Sequence, residues 1–206
     1  MDKKVLIATN NTAKVDLYRE VLSEIGLVAV SPKELNLHVD ADENGTSEVE
    51  NAKIKALAFY NAAHMPVIAN DSGLYIDKFS AEDQPKLFVR RFGGKELSDE
   101  EMIDVFSKKL SLVGGESEGH YNVGLALVDE NGKLFAKEFK PKRHFVAPPS
   151  KTRVKGFPLS SIAYDKATNK YLSEMTPAEK IAYEADVMQA QKDFIFSHLA
   201  NKKNQN

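Results

Sequence analysis

The sequence predicts an α/β protein: a mixed, twisted sheet flanked by helices. Three observations carry that expectation. Short apolar runs at residues 5–8, 27–30 and 67–69 have the length of buried strands. Segments of helical periodicity separate them, the alternation expected of α/β architecture. Cap and turn residues mark the boundaries between the two kinds of segment. The 206 residues are enough for one sizeable core, and a single domain over residues 1–200 is expected.

The elements follow in order. Residues 5–8 form a strand, and a polar turn leads into a helix over residues 13–25. Its apolar stripe is Tyr18, Val21, Leu22 and Ile25, with Gly26 as C-terminal cap. Residues 27–30 form a second strand that ends at Ser31-Pro32. Residues 33–44 show no periodicity and carry Asp40, Asp42 and Glu43. A helix over residues 47–63 turns Val49, Ala52, Ala56, Phe59 and Ala63 inward, and residues 67–69 follow as a strand. Ser98 and Glu101 form a capping box that opens a helix toward Leu110. Residues 121–128 and 132–139 read as a hairpin across Asp129-Glu130-Asn131-Gly132. Thr176 and Glu179 form a second capping box, with Pro177 at the first helical position of a long helix reaching about Leu199. The segment 201–206 is a polar tail.

Composition narrows the function. A formal net charge of -2 gives no footprint for nucleic acid or a membrane surface. With no cysteine, disulfides, thiol nucleophiles and zinc–thiolate sites are excluded. The first apolar run is too short for a signal peptide and no window has the length of a transmembrane span. A cytoplasmic protein is expected.

Two runs carry the chemistry. Thr9-Asn10-Asn11-Thr12-Ala13-Lys14 joins a strand to a helix. A helix N-terminus offers N–H donors and a favourable dipole to a phosphate, and Lys14 adds a counter-charge. The glycines of a Walker loop are missing, so the run fits either helix capping or phosphate binding. Asn70-Asp71-Ser72-Gly73 follows the third strand, where a carboxylate at a strand end could meet a metal ion. Glu43, Glu50 and Asp71 form the candidate metal set, since Mg2+ takes one or two carboxylates beside phosphate oxygens. Asn51 and Lys55 stand one helical turn apart on the same side of the helix that carries Glu50. A solvated helix face followed by an Asp-Ser-Gly turn is the plainer reading of the same residues. The five histidines show no pairing that suggests a metal triad or a serine triad.

In order and spacing, the Thr9–Lys14 run, Glu43-Asn44-Gly45-Thr46, Glu50-Asn51-Ala52, Lys55-Ala56 and Asp71-Ser72-Gly73-Leu74 resemble the inosine triphosphate pyrophosphatase family. The likeness continues through Pro85, Arg91-Phe92, Gly156-Phe157, Glu174 and Lys180. Enzymes of that family hydrolyse ITP, dITP and XTP to the monophosphate and pyrophosphate. The resemblance implies two lobes around a central cleft, a homodimer, and Mg2+ as cofactor. It further implies that Thr9, Asn10, Asn11, Thr12, Ala13 and Lys14 hold phosphate and that Glu43 and Asp71 hold the metal. Asp71 would also serve as general base, and Lys55, Ser72 and Lys180 would contact the nucleotide.

The sequence departs from the family at a few positions. Asn70 replaces the first of two aspartates, and Leu17 stands where a glutamate commonly follows the loop lysine. The family's Gly-Phe-Gly-Tyr-Asp-Pro becomes Gly156-Phe157-Pro158-Leu159-Ser160-Ser161, or is shifted so that Tyr164-Asp165 match across an insertion. Its Ser-His-Arg falls on Glu184-Ala185-Asp186. An ionised aspartate only accepts hydrogen bonds, so Asp186 in the pocket would favour a base that presents N–H donors. Two functions stay open: a nucleoside triphosphate pyrophosphohydrolase with altered base choice, and a nucleotide-binding or regulatory homologue without efficient turnover. A pyrophosphatase for a non-nucleotide anhydride is a third.

Overall fold

The computed structural model describes residues 3–200, so the tail expected at 201–206 lies outside the described residues. The chain divides into two compact units. Unit 1 takes in the chain up to Asp71, Val123–Phe139 and the chain from Asp186 onward; unit 2 comprises Ser72–Asn122 and Lys140–Ala185. Two long strands, β3 (Val67–Ile76) and β4 (Glu116–Val128), pass from one unit into the other.

In unit 1, β1 (Lys4–Ile7) pairs in parallel with β2 (Val28–Val30) and with the start of β3. β5 (Leu134–Phe139) pairs antiparallel with the second half of β4, from Val123↔Phe139 to Val128↔Leu134. The strand order here is β2-β1-β3-β4-β5. Along β1 successive side chains go to opposite faces, and both faces are apolar because both are covered. Val5 and Ile7 meet Val15, Tyr18, Val21 and Leu22 of α1 (Thr12–Ser23), together with Ile195 and Leu199 of α4 (Pro177–Leu199). Leu6 and Ala8 meet Ala52, Ala56 and Phe59 of α2 (Glu48–Ala63). Each fully buried leucine-sized side chain contributes about 1.5–3 kcal/mol.

The expected cap closes α1: Leu27 N–H bonds Leu22 C=O at 3.0 Å and Gly26 N–H bonds Ser23 C=O at 3.1 Å, a Schellman pair. Helix α2 sits slightly differently from the expectation. Its most buried positions include Glu48 and Asn51, while Val49 and Ala63 are half-buried. Gly124 explains this: a side chain there would collide with the backbone of Glu48 and Val49. The first turn of α2 therefore lies directly on β4, and residues of that turn become interior.

In unit 2 the order is β3-β4-β6-β7-β8, with β6 (Lys142–Val146), β7 (Ala163–Asp165) and β8 (Lys170–Tyr171) all antiparallel to their neighbours. Met102, Ile103, Phe106 and Leu110 of α3 (Asp99–Leu112) pack on Leu74, Ile76 and Phe145. Both capping boxes form. Ser98 Oγ accepts from Glu101 N–H and Glu101 returns a carboxylate oxygen to Ser98 N–H. Thr176 and Glu179 do the same at the start of α4.

Two expectations need correction. The predicted strand at 67–69 does not end at Asn70; it runs to Ile76, so Asp71 lies mid-strand rather than in an Asp-Ser-Gly turn. Three polar residues interrupt the apolar pattern, but Leu74 and Ile76 resume it against α3. The hairpin strand is likewise longer, since β4 starts at Glu116 and pairs with β6 before it pairs with β5. Among the described residues no helix is long and apolar enough to cross a membrane.

Candidate active site

The parallel pairing of β1 with β3 is last registered at Ile7↔Ile68. Both chains continue past it, β1 into the Thr9–Lys14 loop and β3 into Asn70 and Asp71. This is the carboxyl end of the parallel strands, where open α/β sheets place their ligands.

In the loop, Asn11 is the N-cap of α1: its Oδ1 accepts from Ala13 N–H at 3.0 Å. Thr9 Oγ1 accepts from Asn11 N–H at 3.2 Å. Part of the run thus does cap the helix. The cap occupies the N–H groups of Asn11 and Ala13, so a phosphate at this loop would be met by the side chains of Asn10 and Thr12 and by Lys14. Asn10 and Thr12 are exposed and Ala13 is half-buried. Asn10 also borders a cavity of about 330 Å³, lined in addition by Leu37, His38, Asp40 and Phe59.

Lys14 leaves this loop and reaches β3, where its Nζ donates to Asn70 Oδ1 at 3.4 Å. From α2, Lys55 Nζ donates to Asn70 C=O at 3.3 Å and pairs with Glu43 Oε2 at 2.8 Å. One turn earlier, Asn51 Nδ2 donates to Asp71 Oδ2 at 3.0 Å. The structure therefore brings Lys14, Lys55, Glu43 and Asp71 together in unit 1, from four separate stretches of chain. Burial lowers the Lys14 pKa most, and the neighbouring Lys55 ammonium adds to this; Asp71 and Glu43 act in the opposite sense. An ammonium held with a neutral amide as its bonded partner is poised to gain from an incoming anion.

The donor set suits a hard cation. Glu43 and Asp71 supply carboxylate oxygens, and the electrostatics of Lys14 register both. Among the described residues no group of three or more His, Cys, Asp or Glu is arranged around a metal position. Mg2+ is ordinarily held by one or two carboxylates plus substrate phosphates and water, so two carboxylates fit it. Glu50 does not belong to the set: it is exposed, and its Oε2 accepts from Thr46 N–H and Oγ1 at 2.7 Å each. It ties down the start of α2 instead.

Ser72 and Lys180 lie in unit 2, both half-buried. Most of the residues at which the sequence departs from the family pattern also lie in that unit. Phe157 is exposed while Leu159 is buried in the core. Asp165 accepts from the backbone of Ala167 and Thr168 and from Thr168 Oγ1, forming a turn. Glu184 pairs with Arg143 at 2.8 Å, and that guanidinium lies 5.1 Å from the centre of the Tyr183 ring. Asp186, the first residue of α4 that belongs to unit 1, is exposed. Arg143 carries no signal in the sequence, because β6 itself has none. Asn51 carries two, its one-turn spacing from Lys55 and its place in the Glu50-Asn51-Ala52 stretch of the family likeness.

Known proteins resemble this chain over much of its length. A dITP/XTP pyrophosphatase of Leptospira interrogans is 33% identical over 132 residues, 64% of this chain and 65% of its own length. The match thus spans slightly less than two thirds of that relative. A dITP/XTP pyrophosphatase of Thermoanaerobacter pseudethanolicus is 28% identical over 201 residues, covering 97% of this chain and 100% of its own. The fold matches that of a HAM1 protein from Coxiella burnetii with a TM-score of 0.74 at 24% identity, over 95% of this chain and 99% of that one. The Ham1 family pattern itself matches residues 5–187, which takes in the Thr9–Lys14 loop, strand β3, the lysines and the first turns of α4: the chain belongs to the Ham1 family.

Proposed function

We propose that this protein is a nucleoside triphosphate pyrophosphohydrolase that acts on deaminated purine nucleotides such as dITP and XTP, and that it uses Mg2+. The observation that carries the reading is the convergence of two lysines and two carboxylates just past the carboxyl end of β1, beside the middle of β3. The base preference is taken from the names of the relatives.

The chemistry follows from these groups. Hydrolysis of a phosphoric anhydride depends mainly on neutralising charge and positioning water. Lys14 and Lys55 bind the phosphate chain, and the exposed loop from Asn10 to Thr12 donates to its oxygens. Glu43 and Asp71 would hold Mg2+, which when bound offsets phosphate charge. Asp71 orients a water molecule and accepts its proton. The water oxygen bonds to the α-phosphorus as the bridging bond to the β-phosphate oxygen breaks, and pyrophosphate leaves with that electron pair. Ser72 and Lys180 are assigned to the nucleoside side.

Pyrophosphate release from dITP, XTP and the ordinary nucleoside triphosphates, measured with Mg2+, tests the reading. Pyrophosphate and dIMP in equal amounts are expected from dITP. Asp71→Asn should lower kcat by about 10²–10⁴, the range for loss of a general base. Release of orthophosphate in place of pyrophosphate, or a fully active Asp71→Asn variant, would overturn it.

A further inference from the structure

We propose that Asn51 is a positioning residue: it locks the acidic loop to Asp71 and so aims that carboxylate. The inference rests on the pyrophosphohydrolase reading above. Asn51 is 4% exposed, yet its carboxamide bonds two different segments. Its Oδ1 accepts from Gly45 N–H at 2.8 Å, and its Nδ2 donates to Asp71 Oδ2 at 3.0 Å. Chemistry dictates which way the amide points. A backbone N–H can only donate and an ionised carboxylate can only accept, so oxygen faces Gly45 and nitrogen faces Asp71. An aspartate at position 51 would lose the donor, and a leucine would lose both groups.

The loop is shaped to this contact. A Cβ on Gly45 would stand 2.7 Å from Glu50 Cβ and 2.8 Å from Asn51 Oδ1, closer than real Cβ atoms come. Gly45 is thus the residue that allows its backbone to reach the amide. Glu43 lies two residues before it, and the Glu43 carboxylate is held by Lys55, one turn beyond Asn51. One side of α2 therefore sets both carboxylates: Lys55 holds Glu43, and Asn51 holds Asp71 and the loop that carries Glu43. A free carboxylate turns easily about its last torsion. With Oδ2 bound by Asn51, the direction of Oδ1 is set, which leaves that oxygen for the roles proposed for Asp71 above.

The test compares wild type with Asn51→Leu and Gly45→Ala, each first checked for folding by thermal denaturation. At temperatures well below the measured Tm, kcat for dITP should fall about 10–100-fold, the usual cost of removing a partner that orients a ligand. KM should stay within about threefold, because Lys14 and Lys55 are untouched. Mn2+ binding to the full chain without nucleotide, followed by electron paramagnetic resonance, should weaken about tenfold. A merely structural asparagine would lower Tm and leave kcat and Mn2+ affinity alone; that result in a folded variant overturns the proposal. If Asn51→Leu does not fold, Gly45→Ala decides by the same criteria. A wild-type protein that releases no pyrophosphate from any nucleotide overturns the proposed function and this inference with it, whereas failure confined to the variants overturns the inference alone.

Discussion

Unit 1 and unit 2 each contain a cluster of charge near the start or the side of a helix, and the two are built to opposite ends. In unit 2, Arg143 is spent on its surroundings: a carboxylate of Glu184, a carbonyl of Lys142 and the face of Tyr183. A guanidinium so engaged has little left for a ligand. In unit 1, Lys14 is bonded to the neutral amide of Asn70, and Lys55 divides itself between Glu43 and a backbone carbonyl. For Lys14 the difference lies in the partner. A cation matched to an anion stabilises a fold, and a cation matched to an amide keeps most of its charge for something else. Asn70, which reads as a lost charge in the sequence, is in the structure the group that leaves Lys14 in that state.

Three measurements would break or sharpen this contrast. The largest effect is expected at Lys14. Lys14→Met should lower kcat/KM for dITP about 10²–10³-fold, the range for losing a charged group that meets developing or bound phosphate charge. A loss under threefold would mean that the unit 1 cluster is structural as well. Arg143→Met should cost about 1 kcal/mol or somewhat more in denaturant unfolding, from a partly exposed ion pair and a cation–π contact, with turnover of dITP within about threefold of wild type. A hundredfold loss of turnover in that variant would erase the distinction between the clusters.

The smallest effect concerns acid and the caps of unit 2. Glu101 is held down to a pKa of about 2, by Lys95 first and then by its bonds to Ser98. Glu179 is likewise at about 2, through Lys170 first and then Thr176. Both lie below the ordinary glutamate value, so between about pH 4.5 and about pH 2 the unfolded chain binds more protons than the folded one. The contribution of these caps is complete above that window and is lost as pH falls through it. The double variant Glu101→Gln, Glu179→Gln should show a flatter dependence of Tm on pH in this window than wild type, and an unchanged slope would count against the caps as acid-sensitive elements.

The capping boxes show what kind of information the sequence holds. Ser98 with Glu101, Thr176 with Glu179, and Gly26 after α1 act over three to five residues, so each is legible in its own short stretch of chain. The same is true of the strand and helix periodicities of unit 1, because one face of each element must be apolar whatever it packs against. The candidate site is legible in part. The lysines and acids can be named from a family likeness, and Asn51 and Lys55 can be placed on one side of a helix. Glu50 cannot be separated from them, since spacing along α2 does not say whether a carboxylate turns to a metal or back to Thr46.

What the tertiary structure alone decided has a common physical cause: it depends on groups distant in sequence. Strands β6, β7 and β8 are short and exist because each finds an antiparallel neighbour. Asp71 sits mid-strand because Leu74 and Ile76 find α3. Lys14 meets Asn70 across 56 positions and Arg143 meets Glu184 across 41, so neither the amide's purpose nor the arginine's can be read from its neighbours. By itself the sequence determined the elements of unit 1, the helix ends and the identity of the charged groups. Which charges are matched by an opposite charge, and which meet only an amide, was decided only when the chain brought them together, because electrostatic pairing is a property of distance in space.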